Sequence, residues 1–455
     1  MTPIFARRAL LAEGWRSNVR VTAAHGTIIA VAANSAAQAG DTSVDALLPA
    51  VSNLHSHTFQ RAMAGMAEVR GGNTDSFWTW RELMYRFLEH LTPEDIEAIA
   101  AQAFVEMQTQ GFAAVAEFHY VHHQQGGATY DNLSEMSQRI MAAASVTGIG
   151  LTHLPVLYSR GGMRGENLTG GQLRFGNATE RFLKLQQEAA SALTRLLPTD
   201  CRIGVAPHSL RAVDLKQLQH IASAMPELPK HIHIAEQQRE VDDVRAVQGL
   251  RPVQWLFDNI NIDKSWCMIH ATHMDAAETK RLAASGAVAG LCPITEANLG
   301  DGIFNGKSYL AADGTYGIGT DSNVLISLCE ELRTLEYSQR LRQRQRNVMA
   351  TSGTSTGENL YRSVATGGAQ ALQRNAGVIA TGMLADLVAM DTDHPTLIAL
   401  RDDQLIDGFV FAANQNLVSD VWSAGRHCVK SGTHRNAASV AATYRKTMAR
   451  LKALL

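Results

Sequence analysis

His55-Ser56-His57 sets two imidazoles two residues apart. In a strand, positions i and i+2 project to one face, so both rings can reach a single ion. His231-Ile232-His233-Ile234-Ala235-Glu236 offers two more same-face imidazoles and a carboxylate just beyond them. His270 lies in Met268-Ile269-His270-Ala271, and Asp321 follows Gly317-Ile318-Gly319-Thr320, where small residues let the backbone approach closely. Taken singly, each reads as well as a capping or packed polar residue. Taken together they predict a divalent-metal site: neutral imidazoles and a carboxylate leave a coordination position for water and lower that water's pKa toward neutrality. The expected chemistry is metal-assisted hydrolysis.

Such residues need a scaffold that brings distant segments together. Between about 48 and 383, apolar strand candidates alternate with stretches of helical periodicity, the pattern of βαβ units. Eight strands are predicted near Leu47 to His57, Ala113 to Tyr120, Gly150 to Tyr158, Arg202 to Leu210, Lys230 to Glu236, Trp266 to His270, Ala287 to Pro293 and Tyr316 to Asp321. Helices are predicted at Pro93 to Thr109, Thr179 to Leu197, Leu215 to Ala224 and Val241 to Gln248. A closed barrel and a doubly wound open sheet both satisfy this alternation. Reactive side chains at the ends of most strands favour the barrel, and an open sheet would be expected to carry a glycine-rich phosphate loop, which is absent. Residues 9 to 47 read as hairpins, as do Leu387 to Met390 and Val418 to Val429, broken by Gly425. The expected fold class is therefore α/β, a (β/α)8 barrel over 48–383 with a small β-sandwich-like domain made from both chain ends, 1–47 and 384–455.

The 455 residues carry 41 Lys and Arg against 43 Asp and Glu, a formal net charge of -2. No block of like charge offers a footprint for duplex DNA or an anionic membrane. Arg340 to Arg346 reads as a solvated or interface helix face with no partner assigned. Cys201, Cys267, Cys292, Cys329 and Cys428 are odd in number, scattered and without C-x-x-C spacing, which fits a reducing cytosol better than a disulfide framework or zinc ribbon. The N-terminus is charged where a secretory signal would be apolar, and no stretch of about 18 apolar residues occurs. The expectation is a cytoplasmic protein.

The ordered set on strands one, five, six and eight resembles the amidohydrolase superfamily, along the whole chain. The resemblance implies that a single metal is held by His55, His57, His233 and Asp321. Two-metal members bridge their ions with a modified Lys or a carboxylate at the end of strand four. Here that strand runs Val205-Ala206-Pro207-His208-Ser209-Leu210-Arg211, with neither, so a mononuclear site is expected. Zinc suits three His and one Asp, with iron or manganese as alternatives. In such a site Asp321 can accept the water proton, Glu236 can protonate a departing nitrogen and His270 can stabilise the oxygen of the tetrahedral intermediate. A Glu three residues beyond the strand-five ligand suits attack on a C=N bond, and so a deaminase or deiminase.

His55-Ser56-His57-Thr58-Phe59-Gln60-Arg61-Ala62-Met63-Ala64-Gly65 closely resembles the formimidoylglutamate deiminases of histidine degradation, as do Trp78-Thr79-Trp80-Arg81, Glu117-Phe118-His119-Tyr120 and the segments around His208 and His233. The resemblance implies substrate contacts at Gln60, Arg81, Tyr120, His208 and Arg211, hydrolysis of N-formimino-L-glutamate to N-formyl-L-glutamate and ammonia, and a homodimer. Arginine forks suit the two carboxylates of that substrate. Formiminoaspartate, one methylene shorter, and a heterocyclic amine are the alternatives; a heterocycle would want aromatic stacking walls rather than two arginines. A non-catalytic homologue would be expected to have lost ligands.

Overall fold

The computed structural model of the chain describes residues 1–70 and 75–454. Eight strands form its centre: Val51–Ser56, Phe112–His119, Gly150–Leu157, a fourth split into Arg202–Ile203 and Ala206–Pro207, then Lys230–Ile234, Trp266–His270, Val288–Leu291 and Tyr316–Ile318. They pair parallel and in chain order, one to four in one run and five to eight in another. Bridges Val205 to Lys230 and Ser209 to His233 join strand four to five, and Ser56 to Asp321 joins strand one to eight, so the ring closes as a barrel. Every residue of Phe112–His119 and Gly150–Leu157 is buried, because one face looks into the barrel and the other meets helices.

The helices begin where local chemistry starts them. Thr92 caps Pro93–Thr109 reciprocally with Asp95, and Pro93 fills the first turn, where no N–H partner is needed. Thr179–Leu196, Leu215–Ala224 and Gln238–Gln248 occupy the other expected spans. Two expectations need correction. The candidate Leu47 to His57 is two strands, Thr42–Pro49 and Val51–Ser56, because Leu47 and Leu48 pair with Ala389 and Val388 in a different sheet. The arginine run is not one helix face: Leu328–Gln343 ends at Arg344 in the left-handed region (φ 53°), Arg340 pairs with Glu336, and Arg342 donates to the Ile303 carbonyl.

Both chain ends build one eight-stranded sheet. Its strands are, in spatial order, Thr433–His434, Arg426–Lys430, Val418–Ser423, Leu387–Met390, Thr42–Pro49, Ile4–Leu11, Gly14–Ala24 and Thr27–Ala32. All neighbours are antiparallel except Ile4–Leu11 beside Thr42–Pro49. The sheet wraps on itself, since Ile28 exchanges backbone hydrogen bonds with Met383 and Gly382. The enclosed core contains Ile4, Val19, Val21, Ile28, Leu47, Leu387 and Trp422. The last helix, Ala437–Lys452, leaves this sheet and packs on Pro93–Thr109, where Arg450 pairs with Asp95.

A buried ion network ties the terminal sheet to the barrel. Arg374, after the last barrel helix, pairs with Asp386 at 2.8 Å and Asp200 at 3.3 Å, and Arg426 of the sheet pairs with Asp200 at 2.7 Å. Arg374 and Asp386 are almost wholly shielded from solvent, so removing one partner leaves the other charge buried and uncompensated. Arg374→Met is expected to cost about 3–5 kcal/mol of stability, read from chemical denaturation of purified protein; a change under 1 kcal/mol would show the network to be dispensable.

Candidate active site

The strand ends deliver the predicted ligands to one point. His55 and His57 close strand one, His233 comes from strand five, and Asp321 follows strand eight in the left-handed region (φ 44°). Strands one and eight lie unusually close here, and Gly319 permits it: a Cβ at that position would sit 2.8 Å from both the His55 nitrogen and oxygen. The His55 carbonyl then accepts from the amides of Thr320 and Asp321. Asn323, also left-handed (φ 55°), donates to the Ser56 hydroxyl and to the carbonyls of His57 and Asp321, while its own oxygen accepts from Thr320. Thr320 in turn accepts from Asn53 at 2.7 Å.

The imidazoles are oriented by their far nitrogens. His57 Nδ1 donates to the Phe118 carbonyl at 2.9 Å and His233 Nδ1 to the His208 carbonyl at 3.0 Å, which turns both Nε2 lone pairs inward. His233 Nε2 lies 3.1 Å from His55 Nε2, and Asp321 Oδ1 lies 3.5 Å from His55 Nε2 and 3.3 Å from His57 Nε2. Burial first, and for His55 and His233 mutual repulsion among the rings, pushes these imidazoles below their usual range and holds them neutral. Inward-facing lone pairs at such separations repel, and one proton can reconcile only one pair of them. A divalent cation at the centre reconciles all, so the donor set fits a metal ion. His231 does not join it: its Nε2 donates to the Ala371 carbonyl, deeper in the barrel.

Glu236 and His270 stand beside this cluster. His270, left-handed at φ 68°, donates from Nδ1 to Glu296 at 3.2 Å, and its Nε2 lies 3.9 Å from Glu236 Oε1 and 3.8 Å from Asp321 Oδ2. Burial alone would discharge His270, but Glu236, Glu296 and Asp321 outweigh it and raise the ring to about 10. Burial also lifts the Glu236 carboxyl to about 7 against the opposing pull of His270 and Arg211. Glu240 holds the turn that presents Glu236 by accepting from the amides of Ala235 and Glu236, both at 3.1 Å.

A narrow cavity of about 50 Å³ opens above these groups. Gln60, Arg81, Tyr120, His208 and Arg211 all line it, together with His57, His233, Glu236, His270 and Asp321; His55 is fully buried below. Gln60 donates to the Tyr120 hydroxyl at 2.8 Å. Helix Phe77–Leu88 brings Arg81 and Tyr85 to the cavity, because residues three and four apart share a helix face. Arg81 Nη1 and Arg211 Nε are buried with no hydrogen-bond partner, and Arg211 feels the Glu236 and Glu240 carboxylates only through space. Both guanidiniums lie over the Trp78 ring, 4.6 Å and 5.7 Å from its centroid. Cation–π contact holds two positive charges in place without neutralising them.

Several contributors escaped the sequence reading. Asn323, Asn53, Glu296, Tyr85, Tyr158 and Phe175 carry no metal-ligand or acid–base spacing, and only contact across strands reveals them. Glu240 had a legible signal, its place four residues after Glu236 at the start of a helix.

The model described as "Amidohydrolase family" matches residues 46–428, and that described as "Formimidoylglutamate deiminase HutF, N-terminal domain" matches residues 1–44. A formimidoylglutamate deiminase of Pseudomonas aeruginosa is 49% identical over 95% of this chain and 96% of that protein. A 5-methylthioadenosine/S-adenosylhomocysteine deaminase of Natronomonas pharaonis is 26% identical over 90% of this chain and 85% of that one. The crystal structure of an amidohydrolase from Brucella melitensis superposes with a TM-score of 0.95 at 45% identity, covering 99% of this chain and all of that one. An adenosine deaminase from Xanthomonas campestris with bound zinc shares the fold at a TM-score of 0.83 and 20% identity, over 99% of this chain and 98% of that one.

The role of Asn323 as the clamp on both ligand-bearing segments is open to direct measurement. Asn323→Gly keeps the left-handed backbone accessible but removes all three donations, and metal affinity is expected to fall roughly 10–100-fold in a chelator competition. Unchanged affinity would mean that the backbone bridge between strands one and eight suffices.

Proposed function

The chain belongs to the amidohydrolase family, a metal-dependent family of hydrolases, and we propose that it converts N-formimino-L-glutamate and water to N-formyl-L-glutamate and ammonia, as a step of histidine degradation. The observation that carries this reading is the pair of guanidiniums, Arg81 and Arg211, each with a buried nitrogen left without a hydrogen-bond partner, lining a cavity that also holds Glu236, His270 and Asp321. Guanidiniums with unmet donors facing a cavity call for an anionic ligand, and two forks call for two carboxylates. A formimino group at the other end of that ligand then falls over the acid–base groups. Tyr120, Tyr158 and Phe175 meet edge to face rather than as parallel walls, which favours an aliphatic substrate over a planar heterocycle.

His55, His57, His233 and Asp321 are the proposed ligands of one zinc ion, with iron or manganese able to take its place. When bound, the ion supplies Lewis acidity that brings a water's pKa toward neutrality. Asp321 accepts a proton from the attacking water as its oxygen adds to the formimino carbon. The formimino group enters as its cation, so that addition leaves an NH2 arm; Glu236, whose protonated form is favoured by burial, donates to that nitrogen, and the C–N bond breaks with ammonia as the leaving group while the adduct's hydroxyl proton passes to the Glu236 carboxylate. The His270 cation faces the oxygen that becomes negative in the tetrahedral adduct. Gln60, Tyr120 and His208 supply the remaining polar contacts to the substrate.

The same proposal includes the division of the chain into a barrel (48–383) and a discontinuous β domain (1–47 and 384–455), supported by the pairing of Ala46 to Pro49 with Leu387 to Met390. It includes a cytoplasmic homodimer; five unpaired cysteines support the reducing compartment. No helix among the described residues is long and apolar enough to cross a membrane.

Ammonia release from formiminoglutamate, compared with formiminoaspartate and aminated purines, tests the substrate; turnover of a purine in preference to formiminoglutamate would overturn it. Glu236→Gln should lower kcat roughly 10²–10⁴-fold with metal content retained. Arg211→Met should instead raise KM roughly 10–100-fold, the loss of one charged hydrogen-bonding partner, with a smaller change in kcat.

A further inference from the structure

Arg81 and Leu88 lie about two turns apart on helix Phe77–Leu88, and with Tyr85 they share one face of it. The end of that helix is held by a single 3-10 turn, Gly170–Arg174, in the loop after strand three. Arg174 is only 2% exposed, yet its guanidinium is spent on main-chain carbonyls. It donates to Leu88 and, at 3.0 Å, to Leu91, at the helix end where carbonyls lack intrahelical partners and a cation is favoured. A further donation, at 2.9 Å, reaches the His123 carbonyl in the loop after strand two, and the Arg174 carbonyl accepts in return from the amides of His122 and His123, both at 3.0 Å. Gly171 presses on the same helix one turn back: a Cβ there would meet the Tyr85 ring at 3.0 Å and the Tyr85 Cβ at 3.2 Å.

We propose that this turn is a length gauge for the substrate: Arg174 and Gly171 are positioning residues that seat helix Phe77–Leu88, and so set the span between Arg81 and Arg211 for a glutamyl rather than an aspartyl dicarboxylate. The inference rests on the reading of the substrate given above. Arg211 lies just past strand four, on the ring itself, whereas Arg81 is carried by a helix outside the ring. The span between the two forks is therefore only as well defined as the seat of that helix. Glutamate holds its carboxylates one methylene further apart than aspartate does, a distinction worth roughly 10–200-fold to a site of fixed dimensions. Neither Gly171 nor Arg174 lines the cavity, while Arg81 and Tyr85 do, so the effect on the ligand passes through the helix.

Holoenzyme kinetics on formiminoglutamate and formiminoaspartate read the gauge. Wild type should prefer the longer compound by roughly 10–200-fold in kcat/KM. Gly171→Ala sets a Cβ against Tyr85, which lines the cavity where Gly171 does not, and drives that ring inward. The preference should then fall roughly tenfold, through KM more than kcat. Arg174→Met frees the helix end and should raise KM for both compounds and bring their ratio toward one, with Arg174→Lys, which keeps a cation at the carbonyls, falling in between. A purely structural role would lower the folded fraction, and with it the apparent kcat, while KM and the ratio stayed at wild-type values; that result overturns the proposal. If wild type releases ammonia from neither compound, the substrate reading falls by itself, and calorimetry with glutarate and succinate decides the gauge. A ratio of affinities that falls in the Gly171 and Arg174 variants upholds it, and one equal to wild type overturns it.

Discussion

Three imidazole nitrogens and a carboxylate oxygen, forced within a few ångströms of each other in a site shut off from bulk solvent, are the constraint around which the barrel is organised. Neutral nitrogens that close are repulsive, and so the arrangement is costly without a cation at its centre. The surrounding architecture bears that cost. Carbonyls of Phe118 and His208 fix two of the rings, the missing Cβ of Gly319 lets strands one and eight touch, and Asn323 clamps the backbone on both sides of the junction. Asp321 and His270 occupy backbone conformations that non-glycine residues seldom adopt, which places local strain at the reactive centre.

The substrate end of the cavity follows an opposite logic. There the protein gives Arg81 and Arg211 an indole face in place of a direct carboxylate partner. A dianionic ligand thus completes the site electrostatically, much as a cation completes the cluster below. The cavity therefore matches a molecule with an amidine at one end and carboxylates at the other.

A barrel's gathering of strand ends at one face explains how side chains 266 positions apart, His55 and Asp321, come within 3.5 Å without any local signal linking them. The terminal sheet takes no part in this chemistry. Its attachment through Arg374, Asp386, Asp200 and Arg426 lies at the opposite ends of the strands, where barrel proteins place stabilising contacts.

Chain-local pattern was enough to read the β/α alternation and the helices Pro93–Thr109 and Leu215–Ala224, because periodicity depends on near neighbours, whereas the four proposed ligands were reached through the family resemblance. Residue type at strand ends marked Glu236 and His270, whereas Arg81, which sits on helix Phe77–Leu88, and Arg211 were reached through the resemblance. Local pattern ran two strands together at Ala50, since an apolar run does not declare which sheet each half will join, and it extended a helix through Arg344, where a left-handed residue ends it. Only the folded molecule decided that His231 turns away from the histidine cluster while His233 joins it, and that the arginines lean on Trp78. Those outcomes depend on which side chains the closed ring brings face to face, and contacts between strands separated by scores of residues leave no periodic trace in the sequence.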